Sequence, residues 1–337
     1  MRRLLVLFTL LPLLNFAQSF FNWDGEQREY YLYVPEFLQE EAPLVFVLHG
    51  YTDSGQGWVE VFQNLADNYG FIICAPSGLV DNYGNSHWNA NFSESITTVD
   101  DLGFLSNLAI YLQDAFNLDP NKTFACGHSN GGFMSWSLAC NASNIFKAVA
   151  SVTGTMSSND WEQCDPAVAV PVMQISGTYD DVIPIDGSLG SWGLGWGSTP
   201  DIYSVFNFWS NMSGCIYSET TNWQFDNYYD YELISYYGDC FNNNSDSRLY
   251  IFNEMGHVWP SSTFDNNESV SDLAAELIWG FFMQIAAQPI INIENELNLN
   301  PAKLKEIDIL GREVNINTVF KIEIDSDGAV RKRYLVK

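Results

Sequence analysis

The sequence predicts an α/β fold, a mainly parallel central sheet flanked by helices, with a small β-rich appendage at the C-terminus. Three observations predict it. Between residues 43 and 286, short continuous apolar runs alternate with segments of helical period, the pattern of strands joined by crossover helices. One strand-like run, Lys122 to Cys126, leads through Gly127-His128-Ser129-Asn130-Gly131-Gly132 into Phe133 to Cys140, which lacks Gly and Pro and continues as a helix would. Composition then changes near residue 288, where Asn292 to Pro301 is polar and Asn-rich and basic residues follow.

In chain order, Asp24-Gly25 is a hairpin-turn signal between Phe20–Trp23 and Arg28–Val34. Pro43 to Gly50 is an unbroken apolar run ending in a glycine turn, as a strand buried on both faces reads. Gly57 to Tyr69 has helical period, Gly70 to Pro76 is a second buried strand, and Asp101 to Phe116 is a helix with Leu102, Leu105, Leu108, Ala109 and Leu112 on one stripe. After the strand and helix around Ser129, the runs Phe146–Val152, Val170–Ser176 and Leu249–Asn253 are further strands, and Ser271–Ala286 is a closing helix. Asp186 to Asp201 reads as a loop rich in Gly and Trp. There is no internal repeat.

The first residues are expected to lie outside the fold. Arg2 and Arg3 precede an apolar stretch from Leu4 to Phe16, and Ala17-Gln18 offers a cleavage point, the pattern of a secretory signal peptide over residues 1–17. The predicted organisation is therefore a signal at 1–17, a catalytic domain at 18–287, a linker at 288–301 and a tail at 302–337. No later apolar run reaches membrane-spanning length, so an exported protein without a membrane span is expected.

Charge and cysteines narrow the partners. Residues 18–301 hold four basic side chains, Arg28, Lys122, Lys147 and Arg248, against 35 acidic ones, a formal 4 − 35 = −31. Nucleic acid is excluded as a partner for such a surface. Six cysteines in an exported chain suggest disulfides. Cys74 and Cys126 lie inside strand-like runs and are expected as buried thiols. Cys140, Cys164, Cys215 and Cys240 fall at element ends and in polar loops, and pair in sequence order, Cys140 with Cys164 and Cys215 with Cys240. No metal-ligand spacing is present, and no cofactor is expected.

Gly127-x-Ser129-x-Gly131 between a strand and a helix reads as a nucleophile elbow, which holds a serine hydroxyl above the sheet. A serine needs a base, and the base an acid that fixes its tautomer. Of four histidines, His257 sits in a loop just after a strand, with His87, in a polar loop, as its rival. His128, inside the elbow, should point away from the serine's face, and His49 should organise a loop. The acid comes from the turn after Val170–Gly177: Asp180, with Asp181 as the alternative. Two backbone donors are needed for an oxyanion. Asn130 N–H follows the nucleophile, and Tyr51 N–H follows His49-Gly50.

These residues resemble the secreted polyhydroxybutyrate depolymerase and feruloyl esterase group of α/β-hydrolases, over roughly residues 25–285. The resemblance rests on His49-Gly50, on Val99 to Leu105, on Gly127 to Gly132, on Gly177-Thr178-Tyr179-Asp180 with Pro184, and on Gly256-His257-Val258-Trp259-Pro260. It implies the α/β-hydrolase fold, Ser129, Asp180 and His257 as a triad, and extracellular ester hydrolysis without a cofactor. It also implies aromatic substrate contacts, for which Trp88, Trp192, Trp196 and Trp259 are candidates. Two departures stand out: Ser176, where many relatives carry His, and the Gly/Trp loop at 187–197, which reads as an insertion.

The expected activity is serine ester hydrolysis of polyhydroxyalkanoate-type polyesters or of feruloyl or acetyl esters on polysaccharides. A serine peptidase and a non-catalytic surface-binding module are the alternatives. In the tail, Lys305 to Val314, Asp325-Ser326-Asp327-Gly328 and Arg331-Lys332-Arg333 resemble the C-terminal sorting signal of type IX secretion. That resemblance implies the type IX machinery as a partner.

Overall fold

In the computed structural model the described residues are 16–92, 97–190, 199–215, 217–223, 230–237, 247–260, 273–287, 320–324 and 330–334. A ten-stranded sheet runs through the body. Its strands are β1 (Phe16–Trp23), β2 (Glu26–Tyr33), β3 (Leu44–Leu48), β4 (Ile72–Pro76), β5 (Thr123–His128), β6 (Ala148–Val152), β7 (Val172–Gly177), β8 (Tyr217–Trp223), β9 (Tyr231–Tyr237) and β10 (Ser247–Phe252). Their spatial order is β1-β2-β4-β3-β5-β6-β7-β10-β9-β8. The six strands from β4 to β10 in that order pair parallel, and the hairpins β1–β2 and β8–β9 close the two edges antiparallel. Asp24 (φ 51°) and Gly25 (φ 82°) turn the first hairpin, both left-handed as a tight two-residue loop requires. β1 starts at Phe16, two residues before the expected cleavage point.

Each central strand is buried on both faces, so its alternate residues serve different cores. In β3, Leu44, Phe46 and Leu48 enter one apolar cluster, and Val45 and Val47 the other. The first cluster is completed by α2 (Asp101–Phe116), α3 (Asn130–Asn141) and α5 (Ile202–Ser213), through Leu105, Leu108, Trp136 and Trp209. The second is completed by α1 (Trp58–Tyr69) and α6 (Leu273–Ala286), through Val59, Phe62, Ile278 and Phe281. A short helix α4 (Ser158–Gln163) follows β6. The mainly parallel sheet with helices on both faces is the fold class that the alternating pattern predicts.

The ends of the helices follow from their sequences. Asp100 caps α2 by accepting from the Gly103 N–H at 2.8 Å, and Asp201 caps α5 by accepting from the Ser204 N–H at 2.9 Å. Gly70 ends α1 in the left-handed conformation (φ 68°). A disulfide joins Cys140, in the last turn of α3, to Cys164 just after α4. Cys215 is disulfide-bonded, and Cys240, its expected partner, lies outside the described residues. Cys74 and Cys126 are buried in β4 and β5. In the tail, β11 (Phe320–Ile324) and β12 (Val330–Tyr334) form an antiparallel pair. The expected signal segment up to residue 15 and the linker lie outside the described residues. Among those residues no helix is long and apolar enough to cross a membrane.

Candidate active site

Ser129 stands between the last residue of β5 and the first of α3, with φ 53° and ψ −114°. A serine in this sparsely populated region costs about 1–3 kcal/mol, which the surroundings must hold in place. They do so by close approach. A Cβ on Gly127 would stand 2.3 Å from the carbonyl carbon of Gly131, and one on Gly131 would stand 2.2 Å from the Leu48 carbonyl oxygen at the end of β3. The Ser129 N–H donates to the Val152 carbonyl at 2.8 Å, which ties the turn to β6.

The structure brings Ser129, His257 and Asp180 together. His257 Nε2 is 2.8 Å from Ser129 Oγ, and its Nδ1 is 2.9 Å and 3.1 Å from the two Asp180 oxygens. A carboxylate only accepts, so Nδ1–H donates to Asp180 and Nε2 is left to accept from the serine hydroxyl. Asp180 is buried, and its Oδ1 also accepts from the Val182 and Ile183 N–H groups at 3.0 and 2.8 Å. Asp181 is exposed and has no part in this set. The loops that carry Asp180 and His257 are joined directly. The Tyr179 N–H donates to the Met255 carbonyl (2.9 Å), the Glu254 N–H to Thr178 Oγ1 (2.8 Å), and a Cβ on Gly177 would meet the Met255 oxygen at 2.0 Å.

The other histidines have different places. His49 is buried; its Nδ1 bonds the Gly50 carbonyl at 2.6 Å and its Nε2 accepts from the Gly78 N–H at 2.9 Å. Burial pushes its pKa down to about 4, which keeps the ring neutral as this loop-organising pair of bonds requires. His87 bonds the Leu79 carbonyl at 3.2 Å and is buried away from the triad's hydrogen bonds. The expectation that His128 points away from the serine's face is corrected. Its ring lies 5.4 Å from that of His257 and stacks on Trp58 at 5.7 Å. Burial first, and then neighbouring His257, lower its pKa to about 4.

The aromatic expectations divide. Trp88 is corrected: it is fully buried, its indole N–H donates to the His49 carbonyl (3.0 Å), and it packs beneath the site instead of facing a ligand. Its backbone exchanges two hydrogen bonds with the side chain of Asn130, at 2.6 and 3.0 Å, so it braces the start of α3. Trp259 is half-buried and meets Trp58 edge-on at 5.2 Å. Trp192 and Trp196 lie outside the described residues. Trp58 is an addition that sequence reasoning missed. Its only signal is a tryptophan opening the helix that follows the Gly50-Tyr51 turn.

The segments that carry the two expected oxyanion donors adjoin the serine. Asn130 directly follows it, and the position of a Cβ on Gly50, next to Tyr51, is 3.6 Å from Ser129 Cβ. Behind the site, the motif Val99 to Leu105 has a structural explanation. Asp101 is buried in an ion pair with Arg28, and its second oxygen accepts from the Asn89 N–H at 2.7 Å, next to Trp88.

Residues 43–185 match the family described as alpha/beta hydrolase fold. The chain is 28% identical over 179 residues to feruloyl esterase B of Piromyces equi, covering 52% of this chain and 33% of that protein. It is 31% identical over 173 residues to the probable feruloyl esterase C of Aspergillus niger, covering 48% of this chain and 58% of that protein. It is 31% identical over 144 residues to the poly(3-hydroxybutyrate) depolymerase of Ralstonia pickettii, covering 39% and 28%. The chain thus spans less than two thirds of the length of each of these relatives, all of them carboxylic ester hydrolases by name. Among solved structures, the acetyl xylan esterase from Aspergillus awamori superposes with a TM-score of 0.56 at 16% identity, over 80% of this chain and 99% of that one. The chain has the alpha/beta hydrolase fold.

Proposed function

We propose that this protein is a serine carboxylic-ester hydrolase working through an acyl-enzyme. The observation that carries the reading is the continuous hydrogen-bonded line from Ser129 Oγ through His257 to Asp180, on a serine held in a strained backbone conformation. In the proposed reaction His257 Nε2 takes the serine proton as Oγ attacks the ester carbonyl, and Asp180 stabilises the imidazolium. The N–H groups of Asn130 and Tyr51 receive the developing oxyanion. The imidazolium gives its proton to the leaving alcohol, and the serine stays acylated. Water then enters and loses a proton to His257 as its oxygen attacks the acyl carbon; the bond to Oγ breaks, His257 returns the proton to Oγ, and the acid leaves with Ser129 regenerated.

The relatives' names support two substrate classes: feruloyl or acetyl esters of polysaccharides, and hydroxyalkanoate polyesters. Trp58 and Trp259, edge to face beside His257's neighbour His128, are the aromatic surface proposed for either. The apolar segment at 4–16 and the basic tail motifs support export, with residues 302–337 addressing the chain to the type IX machinery. The test is hydrolysis of p-nitrophenyl acetate and butyrate by the wild type and by Ser129→Ala. Loss of the nucleophile is expected to lower kcat on the order of 10⁶-fold. Retention of more than a few per cent of activity by the variant would exclude Ser129 as the nucleophile.

A further inference from the structure

The loop between β3 and α1 is strained at the point where it passes the serine. Thr52, a β-branched residue, has φ 70°, in the left-handed region that such side chains avoid. A turn of this kind persists only where its surroundings over-determine it. Here the segment between β4 and α2 does so on three sides. The Thr52 N–H donates to the Ser86 carbonyl at 2.9 Å, the Ser86 hydroxyl donates to the Asp53 carbonyl, and His49 Nε2 accepts from the Gly78 N–H.

At the centre is a side-chain clamp. The Tyr51 phenol donates to Asp81 Oδ2 at 2.6 Å and accepts from Asn85 Nδ2 at 2.9 Å. Asp81 is itself fixed. It is buried, and its Oδ1 accepts from the N–H groups of Tyr83 (2.8 Å) and Asn85 (3.0 Å). Burial raises the Asp81 carboxyl, but the Tyr51 phenol and these N–H groups outweigh it and hold the group below its ordinary value. Burial, and then the bond to Asp81, push the Tyr51 phenol up. At neutral pH the pair is therefore an ionised acceptor and a protonated donor.

Resting on the ester-hydrolase reading above, the geometry points to Tyr51's side chain, Asp81 and Asn85 as a positioning device for the oxyanion. The phenol of Tyr51 is anchored so that the N–H of the same residue stays aimed at the carbonyl oxygen attacked by Ser129. Donors fixed in advance stabilise an oxyanion without reorganisation in the transition state, and small misplacements are costly. Asp81 and Asn85 act only through Tyr51 and need not touch substrate.

The experiment uses the full mature chain and p-nitrophenyl acetate. Tyr51→Phe keeps the ring and the N–H and removes only the anchor. It is expected to lower kcat about ten-fold, a fraction of the 10²–10³ lost when an oxyanion donor is removed outright. KM should stay within about two-fold and the unfolding midpoint within a few degrees, since a packing role would move the second and a binding role the first. Both acylation and deacylation pass through the oxyanion, so kcat reports the effect whichever step limits. Asp81→Asn should act in the same direction, and the double variant should be no worse than the more damaging single one. Wild-type kcat in Tyr51→Phe, a loss confined to KM, or multiplying single effects would overturn the proposal. Should Tyr51→Phe fail to fold, Asn85→Ala serves as the anchor variant and is read by the same criteria. Equal activity of wild type and Ser129→Ala marks failure of the ester-hydrolase reading. An active wild type, an inactive Ser129→Ala and an unaffected Tyr51→Phe mark failure of the clamp alone.

Discussion

Arg28→Met should be one of the most destabilising single changes in the chain. Arg28 is on β2 and is buried; its Nη2 is 2.5 Å from Asp101 Oδ1, and the two side chains are 1% and 0% exposed. The guanidinium also lies 3.9 Å from the centre of the Phe104 ring. Methionine fills much of the same volume but leaves Asp101 a buried charge with one N–H partner, Asn89. Removing one member of a buried ion pair costs about 3–5 kcal/mol, on the order of 10 °C in Tm for a domain of this size. The pH dependence identifies the cause. Burial already raises the Asp101 carboxyl above its ordinary value, against the pull of Arg28. Without Arg28 it rises further. A carboxyl whose folded value is raised favours the fold when protonated, and that advantage is lost as pH climbs through the shifted value. The deficit of the variant should therefore be largest at pH 8 and shrink toward pH 5. Urea unfolding followed by near-ultraviolet circular dichroism at both pH values measures it. A deficit below about 1 kcal/mol, the ordinary range for a surface change, or one equal at the two pH values, would refute the reasoning.

Two further outcomes are expected. Cys140→Ser with Cys164→Ser opens a bridge of sequence separation 24, and in the chain-entropy account should cost about 3 kcal/mol in urea unfolding with kcat unchanged; a loss of activity instead would mean the bridge shapes the site. A chain ending after Gln288 should keep kcat/KM on p-nitrophenyl acetate within about two-fold, and in its native host should accumulate before the outer membrane; normal export of that chain would remove the sorting role from the tail.

The strands that carry the site were legible because their runs are mostly apolar and three of them end near a Gly: Gly50 after β3, Gly127 at the elbow, Gly177 at the end of β7. Contact chemistry at those ends is local in sequence, so Ser129, Asp180 and His257 could be proposed from position alone. What was hidden depends on long-range packing. Nothing in the composition pairs Arg28 with Asp101, 73 residues away, and an arginine in so acidic a chain reads as a surface residue. Trp88 and Trp58 show the same limit in opposite directions: one tryptophan is buried because a carbonyl is there for its indole N–H, and the other stands beside the site because of where α1 begins. Helix α5 begins where the Gly- and Trp-rich stretch ends, and Asp201, which reads as the last residue of that loop, is the residue that caps the helix. The edge strands β8 and β9 carry mixed polar and aromatic residues instead of a continuous apolar run, so neither was assigned.

The contact between Gly177 and Met255 has a consequence for how this scaffold can change. The loops that carry Asp180 and His257 are bonded to each other through backbone groups, so the two side chains hold their spacing as one piece. Chain that follows Ile183, where Asp180 takes its last backbone bond, lies beyond these bonds in sequence. The segment that follows can lengthen and vary while the spacing of Ser129, His257 and Asp180 stays set elsewhere. Variation in that segment and the geometry of the line from Ser129 through His257 to Asp180 are thereby separable in sequence.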